Sequence, residues 1–240
     1  MTEELFREDA TLLHCAATVT GQGEGGVILD RTVCYPLGGG QAGDTGWLSA
    51  GGQRWRIADT RKSKEQPGAI VHVIEGDALP AAGAAVQVEV DAARRQAHRR
   101  FHTATHLLCA LLPYPVDGCS ITETYARLDF HTDEPFDKEA IQAGLARLVA
   151  EAHPVSHRWI SEEELDANPG LVRSMSVQPP RGLGRVRVLE IEGVDLQPCG
   201  GTHVSNTAEI GAVVVTKIEK KSAKTRRVVL GFAESAAGRS

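Results

Sequence analysis

Three observations predict an α+β protein, a small N-terminal β-barrel followed by a two-layer α+β domain. Up to about residue 90, short apolar runs are punctuated by glycines at Gly25-Gly26, Gly38-Gly39-Gly40, Gly46 and Gly51-Gly52, the rhythm of short strands and tight turns. From Asp91 the chain carries no glycine or proline until Pro113, and Phe101, Thr105, Leu108 and Leu112 recur there at helical spacing. Strand-like runs then return at Arg185 to Ile191, Ile210 to Ile218 and Arg226 to Phe232. The expected division is therefore 1–91 and 92–240.

Within the first domain, Ala16 to Val19 and Val27 to Leu29 read as strands. Val86, Val88 and Val90 alternate with Gln87 and Glu89, the period of a strand with one buried face, and this strand is expected to close the domain. The helix after Asp91 carries three histidines. A second amphipathic helix is predicted from Lys138 to Glu151, with Ile141, Leu145 and Leu148 on one face. A third starts at Ser161, where Ser161 and Glu164 have capping-box spacing. There is no internal repeat and no low-complexity tract.

With 240 residues and 42% hydrophobic content, the chain can bury a sizeable core in one or two domains. Acidic residues at Glu3, Glu4, Glu8 and Asp9 occupy the place where an export signal would be basic. The longest apolar runs, Leu107 to Leu112 and Ile210 to Val215, fall far short of the roughly 20 residues of a membrane helix. A cytoplasmic protein without membrane contact is expected. Five cysteines, an odd number at irregular spacing, fit reduced thiols better than a disulfide framework.

The net charge of −5 argues against coating nucleic acid by bulk electrostatics, but the charge is unevenly spread. Between Lys217 and Arg227, six cations (Lys217, Lys220, Lys221, Lys224, Arg226, Arg227) face one Glu219, so this stretch is +5 and the remainder −10. It is expected to project as a loop between apolar strands and to contact phosphate. A second cluster, Arg94, Arg95, Arg99 and Arg100 around His98, is expected to form a solvated basic surface, with Arg99 and Arg100 as further phosphate contacts.

Four residues apart on a helix, His102 and His106 share a face, with Cβ atoms roughly 6 Å apart. Cys199-Gly200-Gly201-Thr202-His203 supplies a thiolate and a third imidazole from one tight turn. Together these form a His3Cys set, and thiolate with imidazole donors favours Zn2+ over magnesium or calcium. His98 lies roughly 40° off its neighbour's face by helical drift and is left out of the set. His14, His72, His131, His153 and His157 have no ligand-like partners and are given structural or solvent-facing roles.

Four protein donors close a tetrahedral ion, whereas hydrolysis by a metal-bound water needs an open position. Either one ligand yields in the working state, or the ion orients substrate while another group positions water. The zinc-protease motif places glutamate directly after its first histidine; Thr103 stands there in this chain, and a peptidase loses its base. An ester is already activated relative to an amide, so a polarising ion and a positioned water suffice for it.

HTATHLL at His102 to Leu108, ARLDF at Ala126 to Phe130 and PCGGTHV at Pro198 to Val204, with YPLGGGQAGDTG at Tyr35 to Gly46 upstream, resemble the editing domain shared by alanyl-tRNA synthetases and the free-standing AlaX family, and more loosely that of threonyl-tRNA synthetases. The resemblance spans nearly the whole chain. It implies a two-layer editing domain after the barrel and a trans-acting deacylase of mischarged tRNA(Ala), chiefly carrying serine, with glycine as a second candidate. No aminoacylation domain fits in this length, and the ending near the last strand is similar to the medium-length type. Cys34 departs from the pattern, which usually has an aromatic before Tyr-Pro.

Substrate contacts are expected at Gly38, Gly39, Gly40 and Gln41, whose turn can bring backbone amides close to a phosphate or ribose, and at Ser120, Thr122 and Thr202. Thr124 is a further hydroxyl candidate. Asp44-Thr45-Gly46 reads as a turn with a local side-chain hydrogen bond. A hydrolase of another small ester and a non-catalytic RNA-binding module with structural zinc are the competing readings. No protein partner is evident, and the sequence leaves the oligomeric state open.

Overall fold

A computed structural model describes residues 1–172 and 184–233; stretches 173–183 and 234–240 of the expected second domain lie outside the described residues. Two compact units divide the chain at Gln96/Ala97, inside the first long helix rather than ahead of it at 91/92.

The first unit contains β1 (Glu3–Glu4), β2 (His14–Gly23), β3 (Gly26–Leu29), β4 (Arg31–Thr32), β5 (Gly46–Ala50), β6 (Gln53–Lys62), β7 (Ile70–Ile74) and β8 (Ala85–Val90). Six of these form a closed barrel in the order β2-β3-β7-β6-β5-β8. β8 pairs with both β2 and β5, so the alternating valine strand closes the barrel as its pattern implied. Val86, Val88 and Val90 join Val19, Leu29, Leu48 and Ile57 in its core. Close packing of neighbouring strands demands glycine at position 46, where a Cβ would sit 2.0 Å from the Glu89 carbonyl oxygen.

Asp44 differs from its expected local role. It is fully buried, accepts the Tyr35 amide nine residues away at 2.6 Å, and pairs with Arg95, whose Nε lies 3.1 Å from Oδ2. Cys34, in place of an aromatic, is fully buried in the barrel core. The aromatic contact beside it is made by Tyr35, edge-on to Phe6 with ring centroids 5.3 Å apart.

The second unit takes in most of α1 (Ala92–Leu111), then β9 (Val116–Ile121), β10 (Ala126–His131), α2 (Lys138–Ala150), β11 (Val155–Ser161), α3 (Glu162–Ala167), β12 (Arg185–Ile191), β13 (Asp195–Pro198), β14 (Val213–Ser222) and β15 (Thr225–Phe232). Asp137 caps α2 by accepting the amides of Glu139 and Ala140, and Ser161 caps α3 by accepting that of Glu164. A four-stranded antiparallel sheet runs β14-β15-β10-β9, and a three-stranded one runs β11-β12-β13.

One core joins Phe101, Leu107 and Leu108 of α1 to Ile141 and Leu145 of α2, Leu128 and Val228 of the larger sheet, and Leu189 and Ile191 of the smaller. α1 is consequently buried at every position from Phe101 to Cys109. Its polar residues are enclosed along with its apolar ones. Among the described residues, no helix is long and apolar enough to cross a membrane.

Candidate metal centre

β12 and β13 set one side of the centre. Strand alternation sends Val186 and Val188 to a small core with Leu165 of α3 and turns Arg187, Leu189 and Ile191 to the opposite face. The register pairs Ile191 with Asp195 and Leu189 with Gln197, so Asp195 and Gln197 share that second face. The chain then leaves β13 into the Cys199–His203 turn, tied back by the Cys199 amide donating to the Arg187 carbonyl at 3.0 Å. Arg187 Nη1 donates to the carbonyls of Cys199 (2.9 Å) and Gly201 (3.2 Å), fixing the turn from beneath.

α1 supplies the other side. One donor atom from each of His102, His106, Cys199 and His203 lies within 4.8 Å of the other three; the three histidines are buried and Cys199 is half-buried. Cys199 Sγ is 3.4 Å from His102 Nε2 and 3.1 Å from His203 Nε2. Edges of roughly 3.5 Å are what a tetrahedron needs at zinc-type bond lengths of about 2.0–2.3 Å.

Two of the rings are held at their far nitrogens. Asp195 Oδ2 sits 2.8 Å from His106 Nδ1, and Gln197 Nε2 donates to both oxygens of that carboxylate. His203 Nδ1 meets Thr103 Oγ1 at 3.2 Å. Thr103 donates its hydroxyl proton to the Arg99 carbonyl at 3.0 Å and accepts the Val204 amide at 3.2 Å, so its second lone pair is left to accept from the ring. Both rings thereby aim Nε2 inward.

Burial opposes a thiolate at Cys199, but His102 and His203 outweigh it and hold the group well below an ordinary thiol. Burial also holds His203 well below the usual imidazole value. At His106 burial favours the neutral ring, yet Asp195 and Cys199 raise it to about 10. Raised in this way, His106 carries a positive charge beside the thiolate and the carboxylate, the place a metal cation would take. The donor set and its spacing fit a divalent transition metal ion, and the four residues could hold one.

The remaining candidates are placed differently. Thr202 is fully buried. Ser120 pairs with Arg127 in the sheet. Thr122 Oγ1 accepts the amides of Thr124 and Tyr125 and donates to the Tyr125 carbonyl, closing the β9–β10 turn. In the first unit Gly38 and Gln41 bond reciprocally through their backbones at 3.1 and 3.0 Å, with φ of 57° at Gly39 and 85° at Gly40. Only glycine adopts such values without strain. Gln41 is fully buried.

The solvated surface expected around His98 is corrected. His98 is fully enclosed, Arg95 and Arg99 are buried, Arg99 Nε donates to the His203 carbonyl at 2.8 Å, and Arg100 Nε donates to that of Ile210 at 2.8 Å. The Lys217–Arg227 cluster forms paired strands rather than a loop: β14 and β15 are joined through a short turn and pair from Val213–Phe232 to Ser222–Thr225, with register shifts at Val215/Lys217 and Lys220/Ser222. Lys217, Lys220, Lys221 and Lys224 are exposed on it. Arg226 is buried and donates to the carbonyls of Ser222, Thr225 and Asp133, a structural use that corrects its expected phosphate contact.

Sequence reasoning passes over Asp195, although its place four residues before Cys199 is a usable signal. Thr103 reads there only as a missing base, and Arg187 only as part of a strand.

Residues 186–229 match the family described as threonyl and alanyl tRNA synthetase second additional domain, and residues 8–94 match tRNA synthetases class II (A). The chain is 34% identical to the alanyl-tRNA editing protein AlaX-M of Methanosarcina barkeri, an alignment covering 95% of this chain and 98% of that protein. It is 31% identical to the AlaX-M protein of Methanosarcina mazei, over 99% of each. Similarity extends to the alanine–tRNA ligase of Metallosphaera sedula, 33% identical over 91% of this chain and 25% of the ligase. The chain spans about a quarter of the length of such ligases.

Proposed function

The chain belongs to the family of alanyl-tRNA editing proteins of the AlaX-M type, and from that premise we propose that it is a trans-acting, zinc-dependent deacylase of mischarged tRNA(Ala), with Ser-tRNA(Ala) as main substrate. The observation that carries this reading is the convergence of His102, His106, Cys199 and His203 in a chain matched almost end to end by editing proteins. The compartment that fits is the cytoplasm, where charged tRNA is used.

Zinc would be held by His102, His106, Cys199 and His203. When bound it supplies Lewis acidity toward the ester carbonyl and the water that attacks it. The chain's own residues do the rest. Asp195 and Thr103 orient two of the imidazoles, Arg187 fixes the turn that carries Cys199 and His203, and the buried surroundings exclude bulk water.

Serine and alanine differ by one hydroxyl. A site built to hydrogen-bond that group rejects alanine because alanine leaves buried polar groups unpaired. Ser120 and Thr202 are the proposed contacts in the second unit, whereas Thr122 is occupied by its turn. In the first unit the exposed turn at Gly39 offers backbone to the tRNA. The exposed lysines of the β14–β15 arm, Lys217, Lys220, Lys221 and Lys224, are the proposed phosphate contacts.

Deacylation of Ser-tRNA(Ala), Gly-tRNA(Ala), Ala-tRNA(Ala) and a simple activated ester, with metal content measured on the same sample, tests the proposal. Release of serine with alanine spared, near-stoichiometric zinc, and a folded but inactive Cys199→Ala variant are expected. Hydrolysis of the simple ester alone would assign another zinc hydrolase. Tight tRNA binding with zinc retained and no deacylation would assign an RNA-binding module with a structural ion.

A further inference from the structure

Metal affinity depends on more than the donor atoms, because an imidazole must present a lone pair in the right direction and hold it there. A neutral histidine carries its proton on either nitrogen. A ring free to choose presents the wrong tautomer part of the time and loses rotational freedom on binding. The polar group on the far nitrogen removes both costs.

His106 meets this condition through a charged partner. Its Nδ1 lies 2.8 Å from Asp195 Oδ2 with both side chains enclosed, so no water competes for the contact. Asp195 is itself immobilised: the backbone of β13 is paired to β12 with Asp195 opposite Ile191, and Gln197 Nε2 reaches Oδ1 at 3.0 Å and Oδ2 at 2.9 Å. A carboxylate oriented in this way accepts the Nδ1 proton and makes Nε2 a better donor. His203 has a neutral hydroxyl in the corresponding place. The two rings are therefore held by partners of different strength.

We propose that Asp195 is a positioning residue for the centre: accepting the Nδ1 proton of His106, it fixes that ring's tautomer and rotamer and sets how tightly the four donors hold a divalent cation. The inference rests on the reading of the cluster as a metal site. It requires nothing about the substrate. A role confined to folding would leave zinc affinity and the His106 ring signals unchanged.

The probe is Zn2+ alone, titrated into metal-free full-length protein against a chromogenic chelator, with thermal unfolding of each metal-free variant as the folding control. Asp195→Asn keeps the shape and an acceptor oxygen but loses the charge, and is expected to weaken zinc binding about 10-fold; Asp195→Ala is expected to weaken it about 100-fold. In zinc-loaded wild type the His106 Nδ1 proton is expected to give a slowly exchanging, low-field NMR signal that Asp195→Ala loses.

Should Asp195→Ala fail to fold, the near-isosteric Asp195→Asn decides. Affinities within about twofold of wild type, or an unchanged ring signal, overturn the proposal. So does a wild-type protein that takes up no zinc, which would also remove the metal from the functional reading. Failure to deacylate any tRNA, with these zinc effects intact, overturns only the substrate assignment.

Discussion

Two basic clusters that look alike in sequence have opposite fates. Around His98, arginines follow one another at 94, 95, 99 and 100 on α1; between Lys217 and Arg227, lysines predominate on β14 and its turn. The arginines turn inward and spend their donors on backbone carbonyls and a carboxylate: Arg94 on Gly43, Arg95 on Val33, Ala10 and Asp44, Arg99 on His203, and Arg100 on Ile210. The lysines stay exposed. Guanidinium is planar, weakly hydrated and carries five donors, so it can be buried against several acceptors, whereas ammonium keeps its water. A run of positive charge thus says little about an interface until the residue type and the covering layers are known.

The sharpest way to break this contrast is to remove the deepest arginine. Arg95 and Asp44 are 1% and 0% exposed, and Arg95→Met takes away the guanidinium whose Nε lies 3.1 Å from the buried Asp44 carboxylate. Unfolding in denaturant should show a loss of about 3–5 kcal/mol, and Arg95→Met with Asp44→Asn should recover part of it. A phosphate-binding role would instead leave stability unchanged and alter only affinity for RNA.

Arg227 and Lys221 lie between the two extremes. Arg227 Nε and Nη2 clasp the two oxygens of Asp129 at 2.7 and 2.9 Å, and Lys221 and Arg127 join at 3.1 and 2.9 Å. Burial raises the Asp129 carboxyl, but Arg227, Lys221 and Arg127 overcome it and hold it at about 2, against an ordinary 3.8. A depressed native value stabilises the fold above the unfolded pKa and is lost as pH falls through the native one. After discounting for solvent around the partly exposed cations, Asp129 should contribute on the order of 1 kcal/mol, lost between about pH 4 and pH 2. Comparing acid unfolding of wild type and Asp129→Asn measures it; parallel curves would show the cluster to be a solvated ornament.

How far sequence reaches follows the same logic. The barrel-closing strand, α1 and α2 were legible because Val86, Val88, Val90 and Ile141, Leu145, Leu148 carry local periodicities. The convergence of His102 and His106 with Cys199 and His203 was legible because i, i+4 spacing and a glycine-rich turn restrict geometry within a few residues. Asp195, Asp44 and the burial of His98 were not. Each depends on what a distant part of the chain brings beside it, as the β12–β13 register brings Asp195 to His106 and the fold brings Arg95 to Asp44. The same burial makes Thr103, an absent base by sequence, the partner of His203.

At the exposed end of the comparison stand Lys220 and Lys224, with Lys221 beside them on the same arm. Lys220 and Lys224 make no ion pair among the described residues, and Lys221, half-exposed, gives up one contact to the buried Asp129, which keeps Arg227 and Arg127. Replacing all three by alanine should therefore move stability by no more than about 0.5 kcal/mol. The effect belongs in binding. If these side chains neutralise phosphates, the plot of log affinity for tRNA against log salt flattens by roughly 0.7–0.9 for each phosphate left without its lysine, and binding weakens most at low salt. An unchanged slope would leave the arm as solvated surface, and the RNA would have to be held elsewhere on the chain.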